Sequence, residues 1–486
     1  MIETTSEQYT QALETLKSIG QEHVLASFDQ LDAGQQAALL AEIASVDWQE
    51  VHRLIGTHVL DKPTFELPTD IEPAPWFPNV PTAGEQESYY HTATEVGRAM
   101  IAAGKVAAFT VAGGQGTRLG WDGPKGTFPA TPIRHLPLFG CFAEYIRACE
   151  ARFGVTIRWY IMTSPANDTD TREFLTRHQF FGLDPAQVMI FPQGMMPAVD
   201  PSTGKVLMAS KGSIALSPNG HGGSLKALET SGALKDMEKH GIEHISYTQV
   251  DNPIVRVLDP VFLGLHAISG SQMSSKMLPK AYPTEKLGNF CFVDGRMTII
   301  EYSDLPDELA YETLENGELR FRAGSIAIHA IRRDFVENLN RTAGGFALPY
   351  HRANKKVPFY DPKTDTQVKP DEPNAVKLET FVFDALPLCS TSIVYETERV
   401  DEFAPIKNAD TPAGDEPAND SPETSRNIQT ERAARWLSEL GVHIPRREDG
   451  TVDAAIEISQ ITAIYKEDLD RSSLPDHIRP GQELLL

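Results

Sequence analysis

"FTVAGGQGTRLGWDGPKGTFP", Phe109–Pro129, holds six glycines, two prolines and two cations, Arg118 and Lys125. It continues the apolar run "VAAFTVA", which reads as a short buried strand. A strand opening into a long glycine loop suits a phosphate group, because glycine lets backbone N–H groups come close to an anion. Gly113, Gly114 and Gly116 can take positive φ and bring the backbone close to an anion. The loop is not a Walker A sequence, since it lacks Gly-Lys-[Ser/Thr]. Nor is it the dinucleotide fingerprint, because Leu119 stands where a third Gly or Ala is required. Arg118 offers a forked donor and Lys125 a point charge, a pairing suited to a polyphosphate.

Further apolar runs follow at "VTIRWYIMT", "QVMIFP" and "HISYTQV", with helical stretches such as "HLPLFGCFAEYIRACEARFG" and "GGSLKALETSGALKDMEKHG" between them. Short buried strands alternating with helices predict a mainly parallel α/β sheet, with ligands beyond the carboxyl ends of its strands. Asp251 closes "HISYTQV" and so belongs at such an end. A carboxylate there can hold a hard divalent cation against phosphates, while Pro253 equally permits a plain Asp-Asn-Pro turn. Upstream, residues 1–60 read as helical: Ser6 starts the run "EQYTQALETLKSI", Gly20 stops it, and "AGQQAALLAEIASV" makes a second helix. Five prolines in Leu67–Thr82 mark an extended connector. Downstream, "KNADTPAGDEPANDSPETSR" reads as a mobile loop. The chain therefore divides into an N-terminal helical region with its connector (1–100), a central α/β domain (101–405) and a small C-terminal domain (406–486).

At 486 residues the chain exceeds one ordinary core. Its 41% hydrophobic and 23% charged residues match a soluble globular protein. Lys and Arg number 44 against 67 Asp and Glu, a net charge of −23 that repels nucleic acid and anionic membrane, so neither is expected as a partner. An anionic substrate must then be held by local cations or a metal. Four cysteines without CxxC spacing read as buried thiols of a reducing compartment. No signal-peptide pattern and no window of ~18 apolar residues is visible, and a cytosolic location is expected.

The segment "AGGQGTRLGWDGPKG" resembles the signature loop of the UDP-sugar pyrophosphorylase family, most closely its UDP-N-acetylglucosamine branch. The likeness continues in order through "WYIMTS", "PQGMMPA", "PNGHGG", "VDN", "EYSD", "AGSIAIH", "KLETFVFD" and "DEFAPIKNAD", over Ala112–Asp410. It implies a central Rossmann-like, GT-A-like nucleotidyltransferase mixed sheet with helices on both faces, an N-terminal helical region and a small C-terminal domain. It also implies Mg²⁺-assisted conversion of UTP and a sugar 1-phosphate to a UDP-sugar and pyrophosphate. Such a transfer needs positioning and cations more than covalent help.

Residue by residue, the resemblance gives the nucleotide cradle to Val111, Ala112, Gly113 and Gly114, and the β- and γ-phosphates to Arg118 and Lys125. Lys377 and Lys407 match phosphate-contacting lysines, and Asp251 the metal ligand. Gln193 matches a uracil reader, whose amide supplies both donor and acceptor; Gly220 lets backbone approach the nucleotide. Glu301 and Tyr302 match a sugar-contacting pair. His221 and Ser325 stand at sugar-facing positions where many relatives carry Asn. Phe381 and Phe383 line an acyl pocket or simply belong to the core. His221 and Ser325 leave UDP-glucose, UDP-galactose or broad specificity open beside UDP-N-acetylglucosamine. A glycosyltransferase would use an Asp-x-Asp such as Asp168-Thr-Asp170, but that pair reads as a helix N-terminus. A non-catalytic nucleotide-sugar binder would not need Arg118, Lys125 and Asp251 together.

Overall fold

The apolar runs become strands of one ten-stranded sheet in the computed structural model, which describes residues 2–61, 68, 70–342, 345–412 and 418–486. These strands are β1 (Ile71–Pro73), β2 (Val106–Val111), β3 (Trp159–Thr163), β4 (Val188–Pro192), β5 (His244–Gln249), β6 (Met273–Pro279), β7 (Asn289–Val293), β8 (Arg296–Ile300), β9 (Ala323–Arg332) and β10 (Val394–Glu396). The order is β1-β7-β9-β5-β2-β3-β4, with β8 beside β7 and β6 joining β9 to β10.

Strands β5, β2, β3 and β4 run parallel. The remaining pairs are antiparallel, apart from β6 against β10. The sheet is thus mixed rather than mainly parallel. One cause is local: Asp294 and Gly295 both take positive φ and close the β7–β8 hairpin, a two-residue Asp-Gly turn whose twist suits paired strands. Phe139 and Phe142 of the helix Leu138–Phe153 pack against Trp159 of β3, with ring centroids 6.3 and 6.4 Å apart. Phe109, Tyr160 and Tyr247 are fully buried along the parallel strands.

The chain forms two compact units, each assembled from three separate stretches. One comprises Met1–Leu67, Gln193–Ala227 and Gly344–Asp384. Its core joins Leu16, Leu39, Leu54 and Val59 of the N-terminal helices to Val199, Val376 and Leu378. The first helix begins at Ile2, ahead of Ser6, and ends before Gly20 at φ 70°, as the glycine stop predicts. The second, Ala33–Ser45, is capped by Asp32, whose side chain accepts from Gln35 N–H.

The other unit holds Pro68–Pro192, Leu228–Ala343 and Ala385–Leu486, hence the whole ten-stranded sheet. Within it the helix Pro422–Glu439 and the parallel pair Ala454–Glu457 and Gln482–Leu485 build a small core around Ala434, Leu437 and Ile456. Glu457 accepts from the backbone of Ile133 and Arg134 and from Arg134 Nε, at 2.8, 2.8 and 2.6 Å. The stretch "GGSLKALETSGALKDMEKHG" is two helices, Gly223–Thr230 and Ala233–Lys239, broken where Gly232 turns to φ 81°. Within the predicted mobile loop, residues 413–417 lie outside the described residues. Its flanks are tied, since Lys407 and Asn408 N–H both donate to Asp420 O. Cys141, Cys149 and Cys291 are buried, whereas Cys389, just after the short helix Val382–Leu388, is partly exposed. No helix among the described residues is long and apolar enough to cross a membrane.

Candidate functional site

The glycine loop leaves β2 at Val111 and folds back on itself. Gly116 N–H donates to Gly123 O at 2.9 Å, and Lys125 N–H to Gly114 O at 3.1 Å. Of the loop's glycines, Gly120 and Gly123 take positive φ, at 67° and 140°, while Gly113, Gly114 and Gly116 do not use that freedom. The reversal is made there, in the turn that carries Trp121; Gly114 faces open space, while Gly116 is buried against Trp121, whose Cβ would lie 2.7 Å from a side chain placed there. A side chain at Gly114 would meet nothing within 4 Å. Arg118 is exposed and pairs with no carboxylate among the described residues. Lys125 turns inward, 17% exposed, with Nζ 3.5 Å from Asp251 Oδ2.

Asp251 follows β5 at the same sheet edge, because β2 and β5 are parallel neighbours and Val250 N–H bonds Val111 O. Asn252 then ties this turn to the segment that carries Lys407. Its Nδ2 donates to Glu402 O at 2.6 Å, its Oδ1 accepts from Ala404 N–H at 3.1 Å, and Ile406 N–H reaches Asp251 O at 2.9 Å. Lys407 itself pairs with Asp420 at 3.4 Å. A sequence reading passes Asn252 over, since an Asn beside an Asp-Pro turn looks like turn chemistry alone.

Strand β9 runs antiparallel to β5, so its start lies at the edge where β5 ends. Ser325 stands there, its N–H donating to Gly288 O at 2.8 Å. Ala327, at φ 54°, sits in the bulge of β9 opposite Lys276. Glu301, at the end of β8, adjoins the same glycine: its Oε1 lies 3.5 Å from where a Gly288 side chain would begin. Tyr302 is 44% exposed. Glu301 and Ser325 therefore both adjoin Gly288, with Tyr302 next along the chain from Glu301.

Gln193, Gly220, His221 and Lys377 belong to the other compact unit. Gln193 is buried, 8% exposed. Gly220 has φ 85°, and a side chain there would lie 2.3 Å from Thr380 O, so only glycine allows the two loops to close. Gly222 N–H completes the closure by donating to Thr380 O at 2.8 Å. His221 Nδ1 accepts from Val382 N–H at 3.2 Å, and its ring stacks on Phe381 at 5.3 Å. Burial pushes the His221 pKa down to about 4. The neutral ring then carries its hydrogen on Nε2, which becomes a fixed donor. His351 lies on Phe381 at 4.6 Å, and its Nε2 is 2.8 Å from Asp384 Oδ2. That histidine–carboxylate pair was not legible in the sequence, because 33 residues separate its members. Lys377 lies on the strand Ala375–Glu379, opposite Ala353.

No group of three or more His, Cys, Asp or Glu able to cage a metal occurs among the described residues. One carboxylate, Asp251, beside a glycine loop fits a hard cation that takes its other ligands from phosphate oxygens and water. Asp168 opens the helix Asp168–Arg177 and pairs with Arg172 at 2.7 Å, as its reading as a helix N-terminus requires.

Residues 79–411 match the family model described as UTP–glucose-1-phosphate uridylyltransferase. The chain is 36% identical to the human UDP-N-acetylhexosamine pyrophosphorylase-like protein 1, over 88% of this chain and 85% of that one. It is 34% identical to UDP-N-acetylglucosamine diphosphorylase 1 of Arabidopsis thaliana, over 88% and 84%. The solved UDP-N-acetylglucosamine pyrophosphorylase of Trypanosoma brucei superposes with a TM-score of 0.81 at 25% identity, covering 99% of this chain and 98% of that one.

Proposed function

Because the chain belongs to the UTP–glucose-1-phosphate uridylyltransferase family, we propose that it makes a UDP-sugar, UDP-N-acetylglucosamine first of all, from UTP and the sugar 1-phosphate. A phosphate oxygen of the sugar attacks the α-phosphorus of UTP in line. The bond from that phosphorus to the β-phosphate oxygen breaks, and pyrophosphate leaves with the electron pair.

One observation carries the assignment of roles: Lys125 and Asp251 face each other at 3.5 Å beside an open glycine loop, close enough to fix each other and too loosely bound to be saturated. Lys125 and Arg118 hold the phosphates of the leaving group, and Lys377 and Lys407 neutralise the sugar phosphate and the α-phosphoryl oxygens. The backbone of Val111, Ala112, Gly113 and Gly114 seats the nucleotide; Gln193 reads uracil, and Gly220 lets backbone approach the nucleotide. Glu301, Tyr302, Ser325 and His221 orient the sugar. Asp251 would hold Mg²⁺, which supplies neutralisation of the phosphate charge when bound. The free cysteines support a reducing, cytosolic setting.

His221 favours a second reading, because a rigid Nε2–H donor serves a hydroxyl as well as an acyl carbonyl; glucose 1-phosphate is then the preferred partner. Purified protein with UTP and Mg²⁺ should be offered the 1-phosphates of N-acetylglucosamine, N-acetylgalactosamine, glucose and galactose separately, with pyrophosphate release as the readout. Fastest release with N-acetylglucosamine 1-phosphate is expected. A preference for glucose 1-phosphate would reassign the sugar, and no release with any of the four would end the proposal.

A further inference from the structure

Asn167 lies in "TSPANDTD", just beyond β3, and stands at the N-cap of the helix Asp168–Arg177. Asparagine is favoured at that position because its side chain accepts from the N–H groups of its own helix, worth ~1 kcal/mol. Here it makes no such bond. The side chain is instead fully buried and spends all of its hydrogen bonds elsewhere. Nδ2 donates to Ala112 O at 3.0 Å and to Gly114 O at 3.1 Å. Oδ1 accepts from Ser164 N–H at 2.8 Å and from Ser164 Oγ at 3.1 Å. A capping residue has been diverted to staple the glycine loop onto the end of β3.

The consequence follows from peptide geometry. In a trans peptide the C=O of one residue and the N–H of the next share a plane and point in opposite directions. Pinning Ala112 O toward Asn167 therefore aims Gly113 N–H away from it, and pinning Gly114 O does the same for Gln115 N–H. Neither N–H, nor that of Gly114 between them, donates to any described residue. Gly114 O also accepts Lys125 N–H at 3.1 Å, so the same carbonyl fixes the start of the Lys125 turn. Without the staple either peptide could flip, and a carbonyl dipole would then face a polyanion.

We propose that Asn167 is a positioning residue for the triphosphate: by holding two carbonyls back, it commits the N–H groups of Gly113 and Gln115, together with Lys125, to the nucleotide phosphates. This rests on the UTP reading above. Asn167→Asp keeps the shape and both bonds to Ser164 but turns the donor into an acceptor facing two carbonyls; Asn167→Ala removes the staple. Titration calorimetry with UTP and Mg²⁺, without sugar phosphate, should show affinity lowered roughly tenfold in Asn167→Ala, the ~1.4 kcal/mol expected of misplaced amide donors. Asn167→Asp should lose at least as much at pH 8 and regain part of it, relative to wild type, as the pH falls and the new carboxyl becomes a donor. In steady state the KM for UTP should rise while that for the sugar 1-phosphate stays within about twofold. Folded Asn167→Asp that binds UTP as wild type does would overturn the proposal, whatever the fate of the alanine variant. Wild-type protein that takes up no UTP would instead remove the functional reading, and this inference with it.

Discussion

Lys276 and Lys125 each face carboxylates within the same compact unit, in opposite settings. Lys276 is fully buried; its Nζ lies 2.6 Å from Asp259 and 2.7 Å from both oxygens of Glu402, and 5.3 Å from the centre of the Phe262 ring. Thr397 Oγ1 donates to the same Glu402 at 2.9 Å. Although burial works against its charge, Lys276 and Arg256 hold the Asp259 carboxyl below its ordinary range. Lys125 has one carboxylate at 3.5 Å and remains 17% exposed. Taking an ion out of water costs several kcal/mol, recovered only by close and complete pairing. Lys276 meets that condition and is part of the frame. Lys125 and Asp251 do not, and their unspent bonding capacity is what a triphosphate with its cation can use. The lesson is that a charged pair's saturation, rather than its presence, separates structural from functional electrostatics.

The largest effect is expected on the saturated side. Lys276→Ala leaves Asp259 and Glu402 buried with their main counter-charge gone, and should cost about 3–5 kcal/mol in urea unfolding. A loss under ~1 kcal/mol would dissolve the distinction. On the unsaturated side, Lys125→Ala should lower turnover at least about a hundredfold, the scale of deleting one preorganised charge. Its unfolding midpoint should shift by no more than the ~0–1 kcal/mol of a loose, partly exposed pair. Near-normal turnover would take Lys125 out of the mechanism.

A smaller effect concerns partly or fully buried groups that carry no charge. Burial pushes His221 and His244 down to about 4, and His266 well below its ordinary value. Each binds a proton more weakly folded than unfolded. Their contribution is therefore complete above the unfolded value of ~6.5 and is lost progressively as pH falls toward 4. Melting temperature should fall by several degrees between pH 7 and pH 5, with Asp259 adding nothing until more acid conditions. A flat profile over that interval would show that these rings accept protons in the folded state.

Much of this was legible along the chain. The run into Val111, the glycine loop and the strand leading to Asp251 are local patterns, and the structure places them at one sheet edge. The β7–β8 hairpin was also legible in Asp294-Gly295, a turn signal that alternation of strands and helices overshadowed. Which glycines turn to positive φ, Gly120 and Gly123 rather than Gly113, Gly114 or Gly116, was not legible, because composition tells where freedom is available and not which residue uses it. The roles of Asn167, Asn252 and Asp384 were not readable, since each has a decisive partner far along the chain.

By itself the amino-acid sequence determined which residues carry charge, where strands open into loops, and which nucleotide chemistry those loops can serve, because these depend on neighbours within a few positions. Only the tertiary structure decided which chain stretches share a compact unit, which lysine is saturated, and which way the loop's amides point. Those outcomes hang on bonds such as Asn167 Nδ2 to Gly114 O, across 53 residues, whose geometry exists only once separate strands have come together.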